Sequence, residues 1–294
     1  MLKQTATSQL ADALADSGSA FATDDDPELI RSAAPFSLKL IESLIAETPA
    51  HRGLRLAAAR GFTQYAFIFL EQDADQLADQ DFAGAKALRT RARQLYLRAR
   101  DHGLRGLGSA HEGFSGRLRS DPKSAVRAAV TDDVPLLFWT AAAWGAAITL
   151  SKDNAELIAD QVRVEALVDR ALELNEKYES GVIHAFLIPY EMARQGASGD
   201  PAARARQHFE RAMELCASAQ AGPLVSLAES VAVVKQDRAE FQALLTRALA
   251  IDPNARPEWR LANLVMQRRA RWLLSRTDEL ILPEAPPSVP NASP

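Results

Sequence analysis

Five histidines, one cysteine and a run of aspartates are the residues of this chain best suited to chemistry. His51, His102, His111, His184 and His208 show neither HxxH nor HExxH spacing, and none pairs with Cys216 in a zinc pattern, so no metal site is expected. A lone cysteine also rules out an internal disulfide, and Cys216 reads as a small apolar helix residue. Asp73, Asp75, Asp79 and Asp81 suggest a calcium loop with Gly84 at its sixth position from Asp79, but the fifth position is Ala83 and the twelfth is Thr90, where a bidentate Glu is needed. Gly103, Gly106 and Gly108 lack the spacing and the preceding strand of a phosphate loop. No Gly-x-Ser-x-Gly elbow is present, and Cys216 has no local base. The chain is therefore expected to bind and not to catalyse, without a cofactor.

Charge narrows the partners. The net charge of −4 supplies no positive field for nucleic acid or anionic lipid. Arg89, Arg91, Arg93, Arg98 and Arg100 lie beside the acidic stretch 71–81 and lack interleaved aromatics, so they read as a solvated, salt-bridged face. The most apolar window, Val134 to Leu150, is 17 residues long. That is short of the ~20 needed to cross a bilayer, and it reads as a buried helix.

These side chains need helices to position them. Low aromatic content with abundant Ala, Leu, Arg and Glu favours an all-α fold. A small-x3-large-x2-Ala pattern recurs at Ala92, Tyr96, Ala99 and at Ala205, Phe209, Ala212, with weaker copies at Val164, Val168, Ala171 and Phe241, Leu245, Ala248. The final alanines are spaced 72, 41 and 36 residues apart, near multiples of a tetratricopeptide repeat, and Pro253 follows Ala248 where such a helix stops. First helices are expected at Trp144-Gly145, His184-Ala185 and Leu227-Ala228. The reading is about four helix pairs plus capping helices in one domain over 26–281, enclosing a hydrophobic cavity or pore. Residues 1–25 read as loosely ordered, and 282–294 as a proline-rich tail. Asp26-Pro27, Asp121-Pro122 and Asp200-Pro201 mark helix starts, Pro49 ends the first long helix, and a last helix runs from about Pro257 to Leu280. Residues 104–132 read as a glycine- and serine-punctuated crossing.

Three long blocks carry more than a generic helix stack. DDDPELIRSAAPFSLKLIESLIAETP, GFTQYAFIFLEQDAD and RPEWRLANLVMQRRARWLL resemble the T-component family of TRAP transporters, in that family's order and from about Asp24 to Leu280. The resemblance implies a periplasmic lipoprotein working beside the solute-binding protein of a TRAP system, which commonly moves organic acids. A lipobox and lipidated cysteine would then precede LKQTATSQ, and Met1 is expected to replace a removed leader.

Candidate ligand residues follow. Phe138, Trp139 and Trp144 are the large side chains of an apolar helix, and Phe62, Tyr65 and Phe69 form one helical stripe with Gln64 off it. Polar candidates are Asn263, Arg268, Arg269 and Arg271 in the last block, with Glu229 as a partner for one arginine. The expected function is a noncatalytic transport accessory holding or passing a hydrophobic or organic-acid ligand, with self-association to cover repeat ends. The alternatives are a tetratricopeptide scaffold for protein assembly and a periplasmic carrier of lipid-like ligands.

Overall fold

The computed structural model describes residues 18–194 and 196–282, and it is helical with no strand among them. Most of the expected loose N-terminus and the tail from 283 lie outside the described residues. Residues 18–22 form a short helix, α1 (Gly18–Ala22), which packs on the last long helix. Helix α2 (Pro27–Glu47) starts where Asp26 accepts from the Glu28 and Leu29 N–H groups, with Pro27 in the first turn where no N–H is needed. It buries Ile30, Ala34, Leu38, Ile41 and Ile45.

Helix α3 (Arg52–Tyr65) continues through a π turn (Ala66–Glu71) into α4 (Gln72–Leu77). The looser turn leaves carbonyls for outside donors. Arg31 of α2 takes that of Phe69 at 3.3 Å, and Arg268 that of Ile68 at 3.4 Å. Helix α5 (Phe82–Ala110) runs back along α3, followed by the short α6 (Phe114–Ser120) and α7 (Pro122–Ala125). The apolar helix α8 (Val134–Thr149) packs on α3, α5 and α10 (Gln161–Leu174), with α9 (Ala155–Ala159) between. Asp133 before it is 1% exposed and is held by the Val130 N–H, His111 and Arg52.

The C-terminal half repeats the pairing. Helix α11 (Val182–Ala193) packs on α12 (Pro201–Leu215). Then α13 (Gly222–Leu227), a second π turn (Ala228–Ala232) and α14 (Val233–Lys235) lead to α15 (Arg238–Leu249). Two helices close the chain, α16 (Arg260–Ser275) and α17 (Thr277–Leu280), so the expected single last helix is broken at Arg276. Of the four patterned triplets, every residue except the half-buried Phe209 is buried, on α5, α10, α12 and α15.

One boundary differs from the sequence reading. Gly106 and Gly108, like Gly103 before them, are inside α5, and the crossing expected from residue 104 begins only after Ala110. The reason is packing, because a Cβ on Gly103 would overlap the Thr140 hydroxyl of α8, and one on Gly106 would come within 2.8 Å of the Leu136 side chain. Gly103→Ala gains about 1 kcal/mol of helix propensity. Overpacking costs about 1–3 kcal/mol and wins, because the Thr140 Cβ, fixed to its backbone, is only 3.0 Å from the new methyl. We expect a net loss of stability in urea unfolding that Thr140→Ala partly restores; a stabilised Gly103→Ala protein would refute the close contact.

Candidate functional site

Helix α8 carries the densest aromatic group. Phe138 and Trp139 are 2% and 7% exposed, and Phe138 meets the rings of Trp139, Tyr178 and Phe186 at 5.0–6.0 Å in edge-on or near edge-on contacts. Phe186 stacks on Tyr190 at 5.3 Å. Arg60 of α3 lies 5.5 Å above the Trp139 ring and donates to Glu179 Oε1 at 3.0 Å, an ion pair linking positions 119 residues apart. Glu179 belongs to a short turn, Tyr178–Ser180, in which Glu179 (φ 41°) and Ser180 (φ 55°) are left-handed without being glycine. Each such residue costs about 1–2 kcal/mol. Gln64, one helical turn beyond Arg60, is exposed.

The other aromatic candidates are dispersed. Phe62 lies in the seam of α2, α3 and α5, stacked on His102 at 6.0 Å with Arg98 over its ring. Phe69 packs with Ile30, Leu261 and Val265, and the half-buried Tyr65 joins this cluster to two others. Trp144 turns away from Trp139, donating from Nε1 to Asp160 at 3.2 Å with Arg100 over its ring. None of the six lines either of two surface depressions. One, of about 200 Å³, lies between Phe209, Leu227 and Leu244, and the other, of about 410 Å³, beside Asp73 and Leu88.

Helix α16 carries the polar candidates. Asn263, 1% exposed, accepts from the Ala221 N–H and donates to the Ala219 carbonyl, both at 2.9 Å. Arg269 donates to Glu229 at 2.6 and 2.8 Å and to Asp75 at 3.0 Å. Burial opposes its charge, but those carboxylates raise its pKa above the usual value. Glu229 sits in the second π turn and Asp75 one turn past the first, so Arg269 joins the two irregular turns. Arg268 reaches Glu28 and the Ile68 carbonyl, while Arg271 is exposed. The acidic run is spent on similar bonds: Asp73 on Arg31, Asp75 on Arg89 and Arg269, Asp79 on Arg276, and Asp81 on the start of α5.

Sequence reasoning missed several groups here. Gln267, 4% exposed, donates to the carbonyls of Ala248 and Ile251, and Glu71 accepts from the Tyr96 hydroxyl at 2.6 Å. Burial pushes the Glu71 carboxyl up. The signal for Gln267 was a polar residue on the buried stripe of an amphipathic helix. Arg60 and Glu179 had none, since their pairing is purely tertiary.

Two histidine contacts make the fold sensitive to acid. His184 Nδ1 lies 2.9 Å from His208 Nδ1, a contact that admits a single proton, and Arg55 donates to His102 Nδ1 at 3.1 Å. Burial lowers the pKa of all three histidines below 6.5. They stay neutral in the fold while the unfolded chain takes up protons, so stability present above the unfolded pKa is lost as pH falls through 6.5. A second loss follows at lower pH. Burial works against the Glu42 charge, but Arg98, Lys39 and His102 hold its carboxyl down at about 2, so stability present above 4.5 goes as pH falls toward that value. The thermal midpoint should drop between about pH 7.5 and 5.5. His208→Asn, which cannot titrate, should flatten that drop, and an unchanged slope would rule out the pair as a source.

No helix among the described residues is long and apolar enough to cross a membrane. A protein of Treponema pallidum (strain Nichols), described as uncharacterized, is 29% identical over 266 residues, covering 89% of this chain and 82% of that protein. The family model described as TRAP transporter T-component matches residues 23–281, nearly the whole helical region, and the chain belongs to that family.

Proposed function

We propose that this chain is a noncatalytic accessory of a TRAP-type transporter that docks onto the periplasmic solute-binding protein and holds or passes an organic acid or other apolar-tailed ligand. The observation that carries this is the family match over residues 23–281. In this reading the helix pairs of 26–281 form one tetratricopeptide-like domain, tethered in the periplasm by a lipid. The ligand face is the wall of Phe138 and Trp139 beside Arg60 and Gln64, where one cation stands against apolar rings. Docking finds support on the outer side of α2, where Leu29, Phe36 and Leu40 are 56%, 74% and 36% exposed at helical spacing. That face also suits self-association.

The test is co-purification of the protein with TRAP solute-binding proteins of its own organism, followed by mass spectrometry of retained small molecules. Recovery of the solute-binding protein is expected, with Phe36→Glu weakening it. If no solute-binding protein is recovered, the reading fails.

A further inference from the structure

The Glu179 carboxylate is held by two donors beside the aromatic group of α8. Its Oε1 accepts from Arg60 at 3.0 Å and from the Tyr178 hydroxyl at 2.9 Å, and the Arg60 guanidinium in turn lies over the Trp139 ring at 5.5 Å. A fixed cation, a phenol hydroxyl and an aromatic wall are the donor set and the apolar backing that an acid with a hydrocarbon or aromatic tail requires. Trp139 holds a further donor. Its Nε1 is buried and makes no hydrogen bond of normal geometry, although it lies close to the Tyr178 hydroxyl.

Two observations argue that Glu179 is more than a structural partner for Arg60. The backbone at Glu179 and Ser180 is left-handed at two consecutive non-glycine residues ahead of Gly181, a conformation that persists only when its surroundings hold it. The ion pair is a weak restraint for that purpose, since the Arg60 and Glu179 side chains remain 35% and 31% exposed and water screens them. A strained turn held by a replaceable contact is poised to let go.

We propose that Glu179 is a tethered stand-in for the ligand: it occupies a carboxylate site at Arg60 in the free protein and is displaced by the carboxylate of an apolar-tailed organic acid. The incoming tail then lies along Trp139 and Phe138, and the turn of Tyr178–Ser180 relaxes as Glu179 swings out. This rests on the ligand-holding part of the function proposed above and adds the residue that regulates it. The strain sets the balance, making Glu179 a weaker occupant of Arg60 than an unstrained carboxylate would be.

Isothermal titration of the whole chain with octanoate, and with octanol as a neutral control, tests the latch. Wild type should bind octanoate weakly and Glu179→Ala about tenfold more tightly, a change set by removal of an internal competitor. Alanine at 179 removes the carboxylate without adding the backbone freedom of glycine, so this variant tests the internal competitor. Arg60→Gln should abolish octanoate binding in both backgrounds and leave octanol within about twofold. Ser180→Gly, which relieves strain in the latched turn, should weaken octanoate binding and raise the thermal midpoint. Melting curves within about 2 °C of wild type for Arg60→Gln and Glu179→Ala exclude unfolding as the cause.

Equal octanoate affinity in wild type and Glu179→Ala, with Arg60 still required, overturns the latch and leaves the acid site standing. Octanoate binding indifferent to Arg60→Gln overturns both. Absence of binding in every variant, while the solute-binding protein still co-purifies, overturns the acid site and spares the docking function.

Discussion

Arg269→Ala should cost the fold about 3–5 kcal/mol, the range for removing one member of a buried ion network. The side chain is 12% exposed and serves Glu229 and Asp75 with three hydrogen bonds, while its guanidinium lies 5.3 Å from the Trp272 ring. Without it, Glu229 and Asp75 lose a shared cation, and Glu71, already burdened by burial and by the charge of Asp75, loses an opposite charge nearby. Arg89 still reaches Asp75 and limits the damage. For a chain of this size the loss corresponds to a fall in thermal midpoint of roughly 6–20 °C. Arg269→Lys keeps the charge but not the two-pronged donor geometry, and should recover only part of it. Urea unfolding that shows a loss below about 1 kcal/mol would place this network with ordinary surface pairs.

The network also shows which parts of the structure were legible in the sequence. Helix starts were readable because an aspartate followed by proline is local chemistry, and Asp26, Asp121 and Asp200 each cap a helix as that dipeptide implies. The buried alanines of α5, α10, α12 and α15 were readable because a small-large-small rhythm at helical spacing needs no partner to be recognised. Gly106 misled because glycine ordinarily punctuates a chain, and only the approach of α8 explains one inside a helix. The stripe of Phe62, Tyr65 and Phe69 was visible as a stripe, but not the helices it meets. Neither π turn had a sequence signal, and their coupling through Arg269 joins Asp75 to a residue 194 positions away. Arg60 and Glu179 belong to the same class, since nothing local to either predicts the other.

Asn263→Leu tests the second hold that α16 has on the chain. Asparagine serves here because its amide offers an acceptor and a donor together, one to the Ala221 N–H and one to the Ala219 carbonyl. The loop it grips needs holding, because Ala217 and Ser218 just before it are left-handed without being glycine. Leucine has nearly the same volume, so little packing is lost, and the penalty comes from the abandoned backbone groups. Ala221 is fully buried and its unpaired N–H costs ~1–3 kcal/mol; with the half-buried carbonyl the sum is about 2–4 kcal/mol. Asn263→Asp separates the two contacts. At neutral pH it keeps the acceptor, loses the donor and buries a charge, whereas at about pH 4 a protonated carboxyl can donate again and stability should move back toward wild type. Wild type loses stability over that range, so an aspartate variant falling in parallel with it would show that the amide's donor contributes little. The consequence extends to the site, because Asn263 and Arg269 share one helix. A loosened loop at 219–221 removes an anchor of α16, and with it the geometry in which Arg269 joins both π turns.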